Sequence, residues 1–128
     1  MKELEKKIYS YLKERGWHTL RPSDLAKSIM IEGAELLELF QWENLPLEEI
    51  KKDKMKLADI QEELADVFIY AFDLSVLLGF NTEKLIRQKL AAIEKKYPAK
   101  LMRKNAKHGS GSGADRQYWQ IKKEYRRK

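Results

Sequence analysis

Apolar residues recur three and four positions apart along almost the whole chain, and five residues that favour helix ends cut this pattern into segments: Gly16, Pro22, Pro46, Gly79 and Pro98. Leu4, Ile8 and Leu12 share one face of a first amphipathic helix, which stops near Gly16. Pro22 and Ser23 open a second helix, with Ser23 as its expected N-cap. It runs to about Trp42, before Asn44 and Pro46 break it. A short helical piece over 47–52 precedes a long third helix from about Lys54 to Leu78, with Gly79 at its C′ position. Asn81 or Thr82 caps a fourth helix that Pro98 terminates. No run alternates with period two for long enough to make a strand, and no internal repeat is evident. The spacing predicts an all-α fold, a four-helix bundle.

Composition narrows what such a bundle can do. The chain has 128 residues, 43% of them hydrophobic, which suits one domain with a modest core. It has no cysteine, so disulfides and thiolate metal sites are excluded. The longest apolar region, 67–80, is interrupted by Asp73 and is too short to span a bilayer. No apolar stretch follows a basic start, so a secretory signal is not expected and a cytoplasmic location is. The net charge of +6 is unevenly placed: residues 1–98 carry a net −2 and residues 99–128 a net +8. The basicity therefore belongs to the tail and says little about the ligand of the core.

The second and third helices carry the chemistry. Each is mainly apolar, yet each holds a pair of acids at three-residue spacing: Glu32 with Glu35, and Glu63 with Asp66. That spacing puts both members of a pair on one helical face. Around Glu32 every direction of the wheel is apolar, through Ile29, Met30, Ile31, Leu36, Leu37, Leu39 and Phe40. A helix without a polar face is buried, and in so small a domain a neighbouring subunit is the expected cover. On the third helix Asp59, Glu63, Asp66, Tyr70 and Asp73 form one acidic stripe. If the two helices are neighbours, Glu32, Glu35, Glu63 and Asp66 converge on one cavity. Four buried carboxylates need a positive partner, and an all-oxygen donor set suits Mg²⁺, or Mn²⁺. Either pair alone also reads as a solvated helix face, so on the residues alone both readings stand. A di-iron carboxylate bundle needs Glu-x-x-His on two helices, and neither His18 nor His108 fits that spacing.

The words around these acids are more specific than the acids. Glu32-Gly-Ala-Glu35-Leu-Leu-Glu38-Leu-Phe-Gln-Trp42, then Glu62-Glu63-Leu-Ala-Asp66-Val-Phe-Ile-Tyr70, then Lys96-Tyr97-Pro98 resemble the MazG-like nucleotide pyrophosphohydrolases, most closely their small dCTP pyrophosphatase branch. The resemblance covers about residues 11–98. It implies Mg²⁺-dependent hydrolysis of a nucleoside triphosphate, dCTP-like, to the monophosphate and pyrophosphate. By position Glu32, Glu35, Glu63 and Asp66 match the family's metal-binding acids, and Glu38 continues their face as a further catalytic acid. Trp17, Trp42 and Tyr70 match aromatic positions that enclose the base. Lys89 and Lys96 match basic positions able to meet phosphate oxygens. The branch is typically a homotetramer built from dimers, and the same is expected here.

Two departures bear on the base. The branch often carries Trp-x-x-Phe-His before the proline of the second helix, whereas this chain has Trp17-His-Thr-Leu-Arg-Pro22, one residue shorter. An asparagine common in the fourth helix is replaced by Ile93. Phosphate chemistry is untouched by either change; selectivity among dCTP, dUTP or phosphoribosyl-ATP is not fixed by the sequence. Residues 99–128 lie beyond the resemblance. Gly109–Gly113 reads as a flexible linker, followed by a helix with Tyr118, Ile121 and Tyr125 on one face. A basic aromatic helix of this kind packs on a surface or binds nucleic acid, so a non-catalytic nucleic-acid module is the rival from another class.

Overall fold

The computed structural model describes residues 1–106 and 112–127 and contains no strand among them. His108 and residues 109–111 of the expected linker lie outside the described residues. Seven helices follow in order: α1 (Lys2–Glu14), α2 (Pro22–Glu38), α3 (Leu47–Lys52), α4 (Lys54–Leu77), α5 (Thr82–Lys96), α6 (Ala99–Ala106) and α7 (Ser112–Arg126). No helix among the described residues is long and apolar enough to cross a membrane. The chain forms two compact units, 1–82 and 83–128.

In the first unit α2 and α4 make the most extensive helix pair, and α1 packs on α4. Ile8, Leu12 and Leu25 are its buried apolar residues, with Leu12 the most completely enclosed. The helix ends are set by local chemistry. Both Gly16 and Gly79 adopt a left-handed φ, +71° and +72°. Around Gly16 the amide of Trp17 donates to the Leu12 carbonyl at 2.8 Å and that of Gly16 to Lys13 at 3.1 Å. This paired closure is the Schellman arrangement, and it fixes where Trp17 leaves the helix. Gly79 and Phe80 repeat it at the end of α4, donating to Val76 and Ser75.

Two helix boundaries differ from the sequence expectation. Ser23 is not the N-cap of α2: the helix starts at Pro22, with extended Arg21 before it. Proline lacks one of the amides that a helix start leaves unpaired, its φ already suits the first helical position, and it forces the preceding residue out of helical geometry. At the other end α2 stops at Glu38 instead of Trp42. Phe40 and Gln41 donate to carbonyls only three residues back, so the last turn tightens.

A lysine from α4 stabilises that ending. Lys56 donates its ammonium to the Leu39 carbonyl, pairs with Glu43 at 3.1 Å, and stands over the Phe40 ring at 5.2 Å. A cation at a helix C-terminus satisfies an orphan carbonyl and opposes the helix dipole. Asp53 caps the same stretch of α4 by accepting from the Lys56 amide at 3.0 Å. At the junction to α5 the Thr82 hydroxyl pairs with Ser75 at 2.8 Å, both buried. The Thr82 amide donates to the Glu5 carboxylate of α1 at 2.8 Å, which holds that carboxyl below its ordinary range.

Large apolar side chains remain outside this core. Met30, Ile31 and Leu37 of α2 are 73%, 57% and 69% exposed, and Leu57, Leu64 and Phe68 of α4 are also exposed at helical spacing. In the second unit α6 and α7 pack on one another. There Tyr97 stacks on Tyr118, with centroids 5.2 Å apart, so the aromatic face of the tail helix meets the residue before Pro98.

Candidate metal and ligand site

The pairing of α2 with α4 brings acids from both helices together. Carboxylate oxygens of Glu32, Glu63 and Asp66 all lie within 4.8 Å of one another. Glu32 and Glu63 are half-buried. Burial, then the neighbouring Glu35, then the remaining acids push the Glu32 carboxyl above the ordinary carboxylate range. Glu63 is raised likewise, by burial first and then by Glu35 and Asp66. One Glu63 oxygen, Oε2, is buried with no hydrogen-bond partner. Like charges this close each oppose the other's ionisation, and a shared cation reverses that penalty. Hard oxygen donors at this separation fit a divalent ion that takes carboxylates and keeps part of its water shell.

The structure brings only some of the sequence-predicted residues together. Glu32, Glu63 and Asp66 form the cluster, and Glu35 stands beside it, close enough to raise both Glu32 and Glu63. Glu38 is the last residue of α2, exposed and outside the cluster. Tyr70 and Trp17 line a cavity of about 370 Å³ that also reaches Asp66. Burial, followed by the negative charges of Glu32, Asp73 and Asp66, raises the Tyr70 phenol, which keeps it protonated and able to donate. Trp42 lies in the turn after α2, 88% exposed, and does not line that cavity. Lys89 and Lys96 line a separate cavity of about 480 Å³ in the second unit, with Tyr97, Tyr118, Lys122 and Tyr125.

The cavity beside Asp66 also contains residues that the sequence reading did not select. Trp17 meets Tyr11 edge-on, with centroids 5.9 Å apart, forming an aromatic wall. Leu20 and Leu25 add apolar lining, and Asp24 and Asp73 add carboxyls. Asp73 is only 4% exposed and its Oδ1 has no hydrogen-bond partner. Burial pushes its carboxyl up from an ordinary 3.8 to about 6. The signal for Asp73 was present: it is the one charge in the longest apolar run and continues the face of Asp66 and Tyr70. Tyr11 and Asp24 gave no comparable signal, because only the fold turns them toward α4.

Comparison with known proteins gives concordant results. Residues 27–111 match the MazG-like family. Over 96 residues the chain is 32% identical to dCTP pyrophosphatase 1 of Rattus norvegicus, covering 73% of this chain and 56% of that protein. The Homo sapiens dCTP pyrophosphatase 1 is 31% identical over 97 residues, with the same coverage. The chain thus spans a little over half the length of these relatives. A pyrophosphatase crystal structure from Archaeoglobus fulgidus superposes with a TM-score of 0.65 at 39% identity, covering 77% of this chain and 92% of that one.

The raised Asp73 carboxyl has a consequence for stability. A group whose pKa is higher folded than unfolded contributes fully below the unfolded value, and that contribution is lost as the pH rises through the folded one. Asp73 therefore destabilises the fold above about pH 6. Asp73→Asn, measured by urea unfolding in chelator, is expected to be more stable than the parent at pH 8, by up to about 3 kcal/mol. The difference should shrink toward zero at pH 4. Equal stabilities at pH 8 would show that the carboxyl is better solvated than its surroundings imply.

Proposed function

The chain belongs to the MazG-like family, and on that premise we propose that it hydrolyses a nucleoside or deoxynucleoside triphosphate, dCTP-like, at the α–β phosphoanhydride bond, releasing the monophosphate and pyrophosphate with Mg²⁺. One observation carries this reading: the Glu32, Glu63 and Asp66 carboxylates converge where an aromatic-lined cavity meets them. The pyrophosphatase activity of these relatives supports it.

Each residue has a task in this scheme. Glu32, Glu35, Glu63 and Asp66 hold the metal, with Mn²⁺ able to replace Mg²⁺. A bound divalent ion supplies charge neutralisation, polarisation of phosphoryl oxygens and a more acidic coordinated water. An acidic cluster accepts a polyanion only through such cations, since bare carboxylates would repel it. One of these four carboxylates, or Glu38 farther along the same helix, orients the attacking water. Tyr70 and Trp17 enclose the base, Trp42 supplies a further aromatic surface, and Lys89 and Lys96 meet phosphate oxygens. In this reading residues 1–98 are the catalytic domain, a four-helix bundle, and residues 99–128 are an extension. The enzyme works in the cytoplasm on the nucleotide pool.

We also propose a homo-oligomer, a tetramer built from dimers through its helices. The exposed Met30, Ile31, Leu37, Leu64 and Phe68 support it, because apolar surface of this extent on adjacent helices marks an interface. Light scattering on the purified protein should return about four times the chain mass of 15.2 kDa. A monomer at micromolar concentration would contradict the assembly.

Pyrophosphate release from a panel of triphosphates, with Mg²⁺ and with chelator, tests the activity. Turnover is expected only with the metal. Glu63→Gln should lower kcat by at least about 100-fold, a loss typical of removing one group that acts on the developing charge, while the helical circular dichroism persists. No turnover of any triphosphate by the parent protein, or activity close to the parent's in Glu63→Gln, would refute the reading.

A further inference from the structure

Asp73 is an expensive residue in its place. Its side chain is buried, its Oδ1 has no partner, and it faces the cavity lined by Tyr11, Trp17, Leu20 and Tyr70. A buried polar atom left unpaired is costly, so an aliphatic residue would suit an empty wall better. The position is also ordered relative to the acids. Asp66, Tyr70 and Asp73 follow one face of α4, and the helical rise puts Asp73 about 10 Å beyond Asp66 along the axis. A nucleotide has the same order, with an anionic end, a sugar and a flat heteroaromatic end. With its phosphates at the acidic cluster, its base would reach the aromatic wall and Asp73.

The charged groups of the cavity lining are all hydrogen-bond acceptors. Among the described residues it holds three aspartates, Asp24, Asp66 and Asp73, and no cationic side chain. Resting on the reading of the acidic cluster as the phosphate end, we propose that Asp73 is a specificity-determining residue that accepts a hydrogen bond from the exocyclic amine of a base such as cytosine or adenine. A carboxyl oxygen accepts from an amine in either protonation state, whereas it donates only when protonated. Cytosine and adenine present an amino donor on that edge; uracil and thymine present a carbonyl oxygen in its place. An amine entering the cavity can pair with the Asp73 carboxylate. A carbonyl leaves two acceptors facing one another, both stripped of water, and sites built on a buried polar partner reject such analogues strongly.

The test compares the parent protein with Asp73→Asn and Asp73→Ala in two ways. The first is kcat/KM for dCTP, dATP, dUTP and dTTP; the second is calorimetric binding of dCMP and dUMP, which needs no turnover. The parent is expected to favour dCTP over dUTP, and dCMP over dUMP, by about tenfold or more, the worth of one satisfied buried hydrogen bond. In Asp73→Asn the amide can also donate to a carbonyl, so both ratios should collapse toward unity. Asp73→Ala, which removes the acceptor without adding a donor, should lose the preference as well. A merely structural role would change all bases together and leave the ratios in place. Ratios that are the same in all three proteins, or a parent that prefers dUTP, would overturn the proposal. Should no triphosphate be turned over while dCMP is still preferred by the parent and not by Asp73→Asn, the catalytic reading fails and the base-recognition role stands.

Discussion

The contact between α2 and α4 is the constraint on which the rest of the unit depends. It presses together two faces that carry acids, so that Glu32, Glu63 and Asp66 come within 4.8 Å of one another at a half-buried position. Left to electrostatics the two helices would separate at this point. They are held by their extensive packing on one another and by Lys56, which reaches from α4 to the last turn of α2 and pairs there with Glu43. Burial first, and then repulsion among the neighbouring carboxylates, raise the Glu32 and Glu63 carboxyls above their ordinary range. A site assembled this way favours a divalent cation because binding relieves a strain that the packing imposes.

The same helix then gives the site a direction. From Asp66, α4 presents Tyr70 and Asp73 on one face, and the loop after α1 brings Trp17 opposite them. That loop is positioned by the left-handed turn at Gly16, so a residue with no side chain determines where the aromatic wall stands. Charge is concentrated at one end of the site and ring surfaces at the other. Such a division suits an amphiphilic ligand of the nucleotide kind better than a simple anion or a hydrophobic molecule.

Much of this was legible in the sequence, and the exceptions have physical reasons. Helix breakers at Gly16, Pro46, Gly79 and Pro98 placed most element ends, because left-handed turns and missing amides are local properties. Ser23 misled as a cap because Pro22 already stands at the first helical position, which puts Ser23 inside the first turn. The extent of α2 was overestimated, since nothing local reveals that Lys56 will meet the Leu39 carbonyl and fix the tightened turn. The acid pairs were readable because their spacing repeats on two apolar helices. The cavity was not, because Tyr11, Leu20 and Asp24 come from two helices and a loop that only tertiary packing turns toward α4. Trp42 matched a motif word, yet it stands at 88% exposure in the single chain. Its place in the site is a question of assembly, not of local pattern.

The central claim is that repulsion built into the α2–α4 contact makes a divalent-cation site. Calorimetric titration of Mg²⁺ and Mn²⁺ into the protein without nucleotide, beside Glu63→Gln, measures this directly. The account predicts saturable binding to the parent protein that weakens as the pH falls, because protons compete for the raised carboxyls. It also predicts loss of that binding in Glu63→Gln. Equally weak, pH-independent binding to both proteins would contradict it.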